Sequence, residues 1–204
     1  MKLGSIKDNN SRDGRLVLVS QNLKKYVEAG DISKSLLDAV TNWGQVESQL
    51  QNRYRALNEG TLKDAKDYNE SIMLSALPRT WLFADGSSFI YHVKLVRQAR
   101  KAPLPETLTT VPLMYQGECG RFLSPTEYIP QVDFSHGTDF EGEVAVIVDD
   151  VPMGVSAGNA LKYIKLVVLM NDVSLRGLIP EELASGFGFF QSKPNSALSP
   201  LALT

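Results

Sequence analysis

The sequence predicts an α+β fold, on three observations. Two short β-rich segments open the chain around a run of turn formers, a helical stripe follows from Asp31, and two apolar strand patterns lie at residues 139–148 and 166–171. Residues 2–7 and 15–20 are the first strands, and Asp8-Asn9-Asn10-Ser11-Arg12-Asp13-Gly14 between them predicts a hairpin. From Asp31, taken as the N-cap, Ile32, Leu36, Val40 and Trp43 share one helix face. Val46, Leu50, Tyr54 and Leu57 continue that stripe past Gly44, and Gly60 closes it. Residues 61–72 are polar and give no assignment. The first 75 residues gather no acids, histidines or glycines in a catalytic arrangement, so residues 1–75 are expected to form a small structural domain of hairpin plus helix. The change of character at Leu77-Pro78-Arg79 marks a boundary, with residues 76–204 as the second unit.

In that second unit Ser87 or Ser88 can cap a helix whose apolar side is Phe89, Val93 and Val96. Lys94, Arg97, Arg100 and Lys101 make the rest of it basic, and His92 sits at the edge of the apolar face. A lone histidine in such a position is more often structural than catalytic, yet a neutral imidazole near acids is what a general base requires. Asp85, in the loop before this helix, fits a turn or cap as well as a ligand.

Composition narrows the function classes. With 43% hydrophobic and 22% charged residues the chain is an ordinary globular protein, and a net charge of -2 gives no electrostatic footprint for nucleic acid. The N-terminus lacks the apolar core of a signal peptide and no apolar run is long enough for a bilayer. A single cysteine, Cys119, excludes an internal disulfide and favours a reducing compartment, the cytoplasm. It lies in the turn-like Gly117-Glu118-Cys119-Gly120 with no histidine near it in sequence, which speaks against a nucleophile.

The segment from Asp139 to Arg176 carries the chemistry. Glu141 and Glu143 are two apart at the entrance of a strand, so both point to one face, which Ala145 and Ile147 share. Val144, Val146 and Val148 line the other face, and the strand is expected to be covered on both sides. Asp172 ends the run Leu166 to Asn171. Three carboxylates at one spot repel unless a cation compensates, and their oxygens suit Mg²⁺, Ca²⁺ or Mn²⁺ better than zinc. A lone E-x-E is common, so spacing alone leaves surface acids as the alternative.

The stretches ADGSSFIYH, PLMYQG, DFEGEVAVIVDDVP, VLMNDVSLRGLIP and GFGFFQSKPNSALSP together resemble the fumarylacetoacetate hydrolase family over essentially the whole chain, most specifically from Pro78 onward. The E-x-E, N-D-x-S-x-R and Q-S-K motifs match in order and spacing. The resemblance implies a mixed β-sheet roll as the catalytic fold, and a Mg²⁺ or Ca²⁺ ion held by Asp85, Glu141, Glu143 and Asp172. It makes His92 the general base, matches Arg176 and Lys193 to a conserved arginine and lysine that meet oxyanion and substrate carboxylate, and matches Tyr115 to a substrate-contacting tyrosine. For Arg176 a salt bridge orienting Asp172 is the plain alternative, for Lys193 a loop charge, and for Tyr115 a packed aromatic. The implied activity is hydrolysis of a carbon-carbon bond in a small 1,3-dicarbonyl acid, an acylpyruvate or fumarylacetoacetate, as in tyrosine breakdown. Decarboxylase or hydratase chemistry on a related keto acid is the alternative, and a remnant that only binds a metal or a partner is a third. The resemblance also implies a homodimer, with neither nucleic acid nor membrane as partner.

The chain departs from the family in four places. Ser87 and Ile179 replace a tyrosine and a glutamine of the pocket, and Gly177 follows Arg176 where many members have aspartate. Family members continue well beyond the equivalent of Thr204, so the catalytic fold is expected to lack its C-terminal part. The apolar SPLALT is then expected to be a strand cut off with an unpaired edge.

Overall fold

The computed structural model describes residues 1–99 and 101–204. Strands β1 (Lys2–Ile6) and β2 (Arg15–Val19) form the predicted antiparallel hairpin, with Leu3 opposite Leu18. A third strand, β3 (Lys25–Glu28), pairs with β2. The sequence reading passes over it because only Tyr26 and Val27 are buried, too few apolar positions for a visible alternation.

The helical stripe is real but divided. Helix α1 (Leu36–Thr41) starts at Ser35, whose side chain accepts the Asp38 amide, and α2 (Trp43–Glu59) follows after Asn42. Asp31 is therefore not the cap; its carboxylate pairs with Arg53 instead. Gly60 ends α2 at φ 72, a left-handed turn that glycine adopts without a Cβ penalty. Trp43, Val46, Leu50 and Leu57 are buried, and α2 packs across β2 and β3. Residues 61–72 supply the two-residue β4 (Lys66–Asp67) beside β3 and a short 3-10 turn.

Next, β5 (Ala84–Gly86) carries Asp85, and helix α3 (Ile90–Ala99) carries His92. Val93 is buried as expected, while Phe89 precedes the helix and is exposed. Arg100, expected on the basic side, lies outside the described residues. Strand β6 (Met114–Gln116) pairs with β5 and sets Tyr115 opposite Asp85.

Strands β7 (Thr138–Asp139) and β8 (Gly142–Val148) then lead through α4 (Ala157–Ala160) to β9 (Ile164–Asn171). β8 and β9 are antiparallel along their length, with Glu143 opposite Met170 and Ala145 opposite Val168. Strand β10 (Ser174–Leu175) pairs with β7, and α5 (Ile179–Ala184), β11 (Ala197–Leu198) and β12 (Leu201–Leu203) complete the order.

One mixed-origin sheet joins both ends of the chain. Its strands run β11-β9-β12-β1-β2-β3-β4, with β8 on β9. Leu203 faces Lys2 of β1 on one side and Val167 of β9 on the other. The unpaired edge expected at SPLALT is thus not found: these residues fill the gap between β9 and β1, and Ala202 is buried. The expectation that β8 is covered on both faces also fails. Ala145 and Ile147 pack on the main core, whereas Val144, 71% exposed, forms an open apolar face with Val146, Val148, Val167 and Leu169. No helix among the described residues is long and apolar enough to cross a membrane.

Leu50 is fully buried beneath the sheet. Leu50→Ala is expected to lower stability by about 2–5 kcal/mol, whereas Val144→Thr on the open face shifts it by about 0.5 kcal/mol or less. Urea denaturation of both variants beside the wild type measures the contrast.

Candidate active site

Three acid-bearing segments converge at the N-terminal start of β8. Because β8 alternates, Glu143 shares the inward face with Ala145 and sits where the core gives way to polar groups. Glu141 lies just before the strand and its carbonyl accepts the Asp172 amide at 3.0 Å, so the entrance of β8 and the exit of β9 are tied together. Asp172 is 1% exposed. Across from them Asp85 approaches on β5.

Carboxylate oxygens of Asp85, Glu143 and Asp172 lie within 4.8 Å of one another. Glu141 stands beside this trio with its carboxylate engaged elsewhere. Its Oε2 accepts from Lys193 Nζ at 2.7 Å and its Oε1 from Arg176 Nη2 at 2.6 Å. Lys193 is buried, and its ammonium also donates to Asp172 Oδ2 at 2.8 Å and Ser174 Oγ at 2.7 Å, which uses all three of its hydrogens. It is therefore no free loop charge. Arg176 does not orient Asp172; its Nε donates to Asp139 Oδ2 at 2.9 Å, so it bridges Asp139 and Glu141. Tyr115 donates its hydroxyl to Asp172 Oδ2, and its ring packs edge-on against Phe189 with centroids 5.0 Å apart. His92 sits half-exposed at the rim, its Nε2 3.8 Å from Glu141 Oε1.

Gly177 is demanded by this packing. A Cβ there would lie 2.4 Å from the Ser135 carbonyl oxygen, and the Gly177 amide donates to the His136 carbonyl at 2.9 Å. The turn at 134–137 thus presses against the segment that carries Arg176, which accounts for the glycine at 177, where many family members have aspartate.

Three supporting residues escape the sequence reading. Ser196 donates to Asp172 Oδ1 at 2.8 Å, Ser174 receives Lys193, and Asp139 holds Arg176. Two of them had a signal: Asp139, Glu141 and Glu143 are acids at every other position, and Ser174 is the serine of the N-D-x-S-x-R motif.

The electrostatics divide the carboxylates. Desolvation raises the pKa of Glu143 to about 7, helped by the charges of Asp85 and Asp172 and offset only in part by Lys193. Asp85 is likewise raised, first by desolvation and then by Asp172. For Glu141 desolvation pulls upward too, but the hydrogen bonds and charges of Lys193 and Arg176 outweigh it and hold the group below the usual range. Desolvation and the bond to Asp172 push the Tyr115 hydroxyl up, so it stays a donor. Two cations thus face an excess of carboxylates. An all-oxygen set in which desolvation and neighbouring carboxylates disfavour the charged forms of Glu143 and Asp85 fits a hard divalent cation, and Asp172 Oδ1, with one bond from Ser196, keeps a lone pair for it.

The Glu143 shift has a sign. In metal-free protein the folded state binds more protons than the unfolded chain between about pH 4.5 and about 7, so stability falls as pH rises through that window. In chelator, the urea midpoint is expected to drop between pH 5 and pH 8, and Glu143→Gln to lessen the drop. Added Mg²⁺, Ca²⁺ or Mn²⁺ is expected to raise the wild-type midpoint at pH 8 and to leave Asp172→Asn unchanged.

The solved structure of a fumarylacetoacetate hydrolase from psychrophilic Exiguobacterium antarcticum superposes with a TM-score of 0.63 at 16% identity. That of a proposed HpcE protein from Mycobacterium smegmatis gives 0.60, also at 16% identity. Each covers 100% of this chain, and the chain spans 66% of the length of each. At that identity the likeness speaks for the fold. No curated protein matches. The profile of fumarylacetoacetase N-terminal domain 2 matches residues 1–79, and that of the fumarylacetoacetate (FAA) hydrolase C-terminal region matches residues 82–204. The chain belongs to the fumarylacetoacetate hydrolase family.

Proposed function

We propose that this protein is a metal-dependent hydrolase that cleaves a carbon-carbon bond in a small 1,3-dicarbonyl acid of the acylpyruvate or fumarylacetoacetate type. The observation that carries the reading is the meeting of Asp85, Glu143 and Asp172 at one point, with Lys193 and Arg176 behind and His92 at the open rim. Asp85, Glu143 and Asp172, with Glu141 alongside, would hold a hard divalent cation, which would supply Lewis acidity to the dicarbonyl.

The chain's own residues do the rest. His92 takes a proton from water onto its imidazole as the water oxygen bonds to the carbonyl carbon. Glu141, kept ionised by Lys193 and Arg176, stands 3.8 Å from that ring and stabilises the imidazolium. The carbon-carbon bond then breaks with its electron pair passing to the carbon between the two carbonyls, which regains a proton. Lys193 offers positive charge to the developing oxyanion, and Arg176 offers its remaining donors to the substrate carboxylate. Tyr115, with its hydroxyl committed to Asp172, bounds the site with its ring. In this reading residues 76–204 carry the chemistry, residues 1–75 support it, and the enzyme works in the cytoplasm as a homodimer.

Turnover of a panel of acylpyruvates, fumarylacetoacetate and oxaloacetate, with Mg²⁺ and then with chelator, tests the proposal. His92→Ala is expected to lower kcat by about 10²–10⁴ and Lys193→Met by about 10²–10³. Release of carbon dioxide from oxaloacetate without hydrolysis of the acylpyruvates would replace hydrolase by decarboxylase. Absence of any metal-dependent turnover from folded protein would defeat both.

A further inference from the structure

Lys193 makes its three side-chain hydrogen bonds from the end of a four-carbon stem, so their geometry depends on the main chain that bears it. That main chain comes out of a loop with little of its own to hold it. Gly186 and Gly188 have φ of 82° and 87°, conformations that glycine enters freely. Phe187 and Phe190 are 97% and 83% exposed, so burial does not anchor the loop by those rings. Only Phe189 packs inward, against Tyr115.

The polar contacts are of another kind. One carboxylate, Glu182 on α5, collects three successive amides. Its Oε2 accepts from Phe190 N and Ser192 N at 3.0 Å each, and its Oε1 from Gln191 N at 2.6 Å. The Ser192 hydroxyl donates to the same Oε2. The helix beneath is seated by buried Ile179, so the acceptor is itself fixed. A second tie, from Leu175 N to the Ser192 carbonyl at 2.8 Å, joins the loop to β10 beside Ser174. Lys193 is the next residue, and Pro194 after it restricts its backbone.

We propose that Glu182 is the positioning residue for Lys193: it folds residues 190–192 around its carboxylate and so delivers the ammonium to Glu141, Asp172 and Ser174. Desolvation works against the charge of Glu182, but the bonds from Ser192, Phe190 and Gln191 outweigh it and bring the carboxyl down to about 2, so it remains an acceptor throughout the neutral range. Glu181, its neighbour, makes no side-chain hydrogen bond among the described residues and is the internal control. A glutamine at 182 cannot replace the carboxylate, because its NH₂ would face donors.

The catalytic consequence rests on the role given to Lys193 above, and the test separates the two. Purified full chain is labelled with trace acetic anhydride and each lysine is quantified by peptide mass spectrometry. In the wild type Lys193, buried and fully hydrogen-bonded, reacts far more slowly than exposed Lys63. Glu182→Gln is expected to raise Lys193 labelling by about tenfold or more, the factor for one lost charge-assisted hydrogen bond, with Lys63 and the other lysines unchanged. Ser192→Ala, which removes only the hydroxyl contact, is expected to raise it less, and Glu181→Gln not at all. On an acylpyruvate, Glu182→Gln is expected to lower kcat more than it changes KM. Unchanged Lys193 labelling in both Glu182→Gln and Ser192→Ala overturns the inference whatever the activity. Raised labelling in a protein that turns over no dicarbonyl acid upholds the positioning role and defeats the functional reading alone.

Discussion

The ammonium of Lys193 is the constraint on which the site depends. It sits between Glu141 and Asp172, both withdrawn from water, and touches Ser174 with its third hydrogen. A buried charge without a partner is costly, and a pair broken on one side costs several kcal/mol. The lysine therefore ties the entrance of β8, the exit of β9, the short β10 and the loop after α5 into one electrostatic unit. Burial of this kind is weak evidence for stability but fixes geometry, since few arrangements satisfy every group.

Within that unit, two glutamates on one face of one segment behave in opposite ways. Glu141 is held ionised by Lys193 and Arg176, whereas Glu143, two residues on and opposite Met170, is pushed toward neutrality. The difference is set by which of them the cations reach. Divergent environments for like residues are a common mark of sites that move protons or hold ions. Here they separate a carboxylate engaged by Lys193 and Arg176 from one that belongs to the acidic trio.

Much of this was legible in the sequence, for reasons particular to each element. The period of two placed Glu141 and Glu143 on one face, and the helical stripe predicted the buried residues of α2. The engagement of Glu141 was not legible, because its partner Lys193 lies 52 residues away and only the fold brings them together. The cap of α1 was misplaced at Asp31 because an aspartate before an apolar stripe is a good cap in isolation, and Arg53 from α2 claims it instead. The short β3 carries too few buried positions to show a pattern. The open face of β8 was misread because a run of valines looks alike whether or not anything covers it.

The placement of β12 between β1 and β9 has a kinetic consequence. The N-terminal hairpin and the site-bearing strands belong to one sheet, yet they are joined through residues 201–203, nearly a full chain length from β1. Such pairings carry a high loop-closure entropy and make folding slow. On the ribosome the hairpin and α2 can form early, but the sheet cannot close until residues 201–203 have emerged from the exit tunnel. Until then β1 and β9 both present unpaired edges, which makes the nascent chain dependent on whatever shields such edges during synthesis.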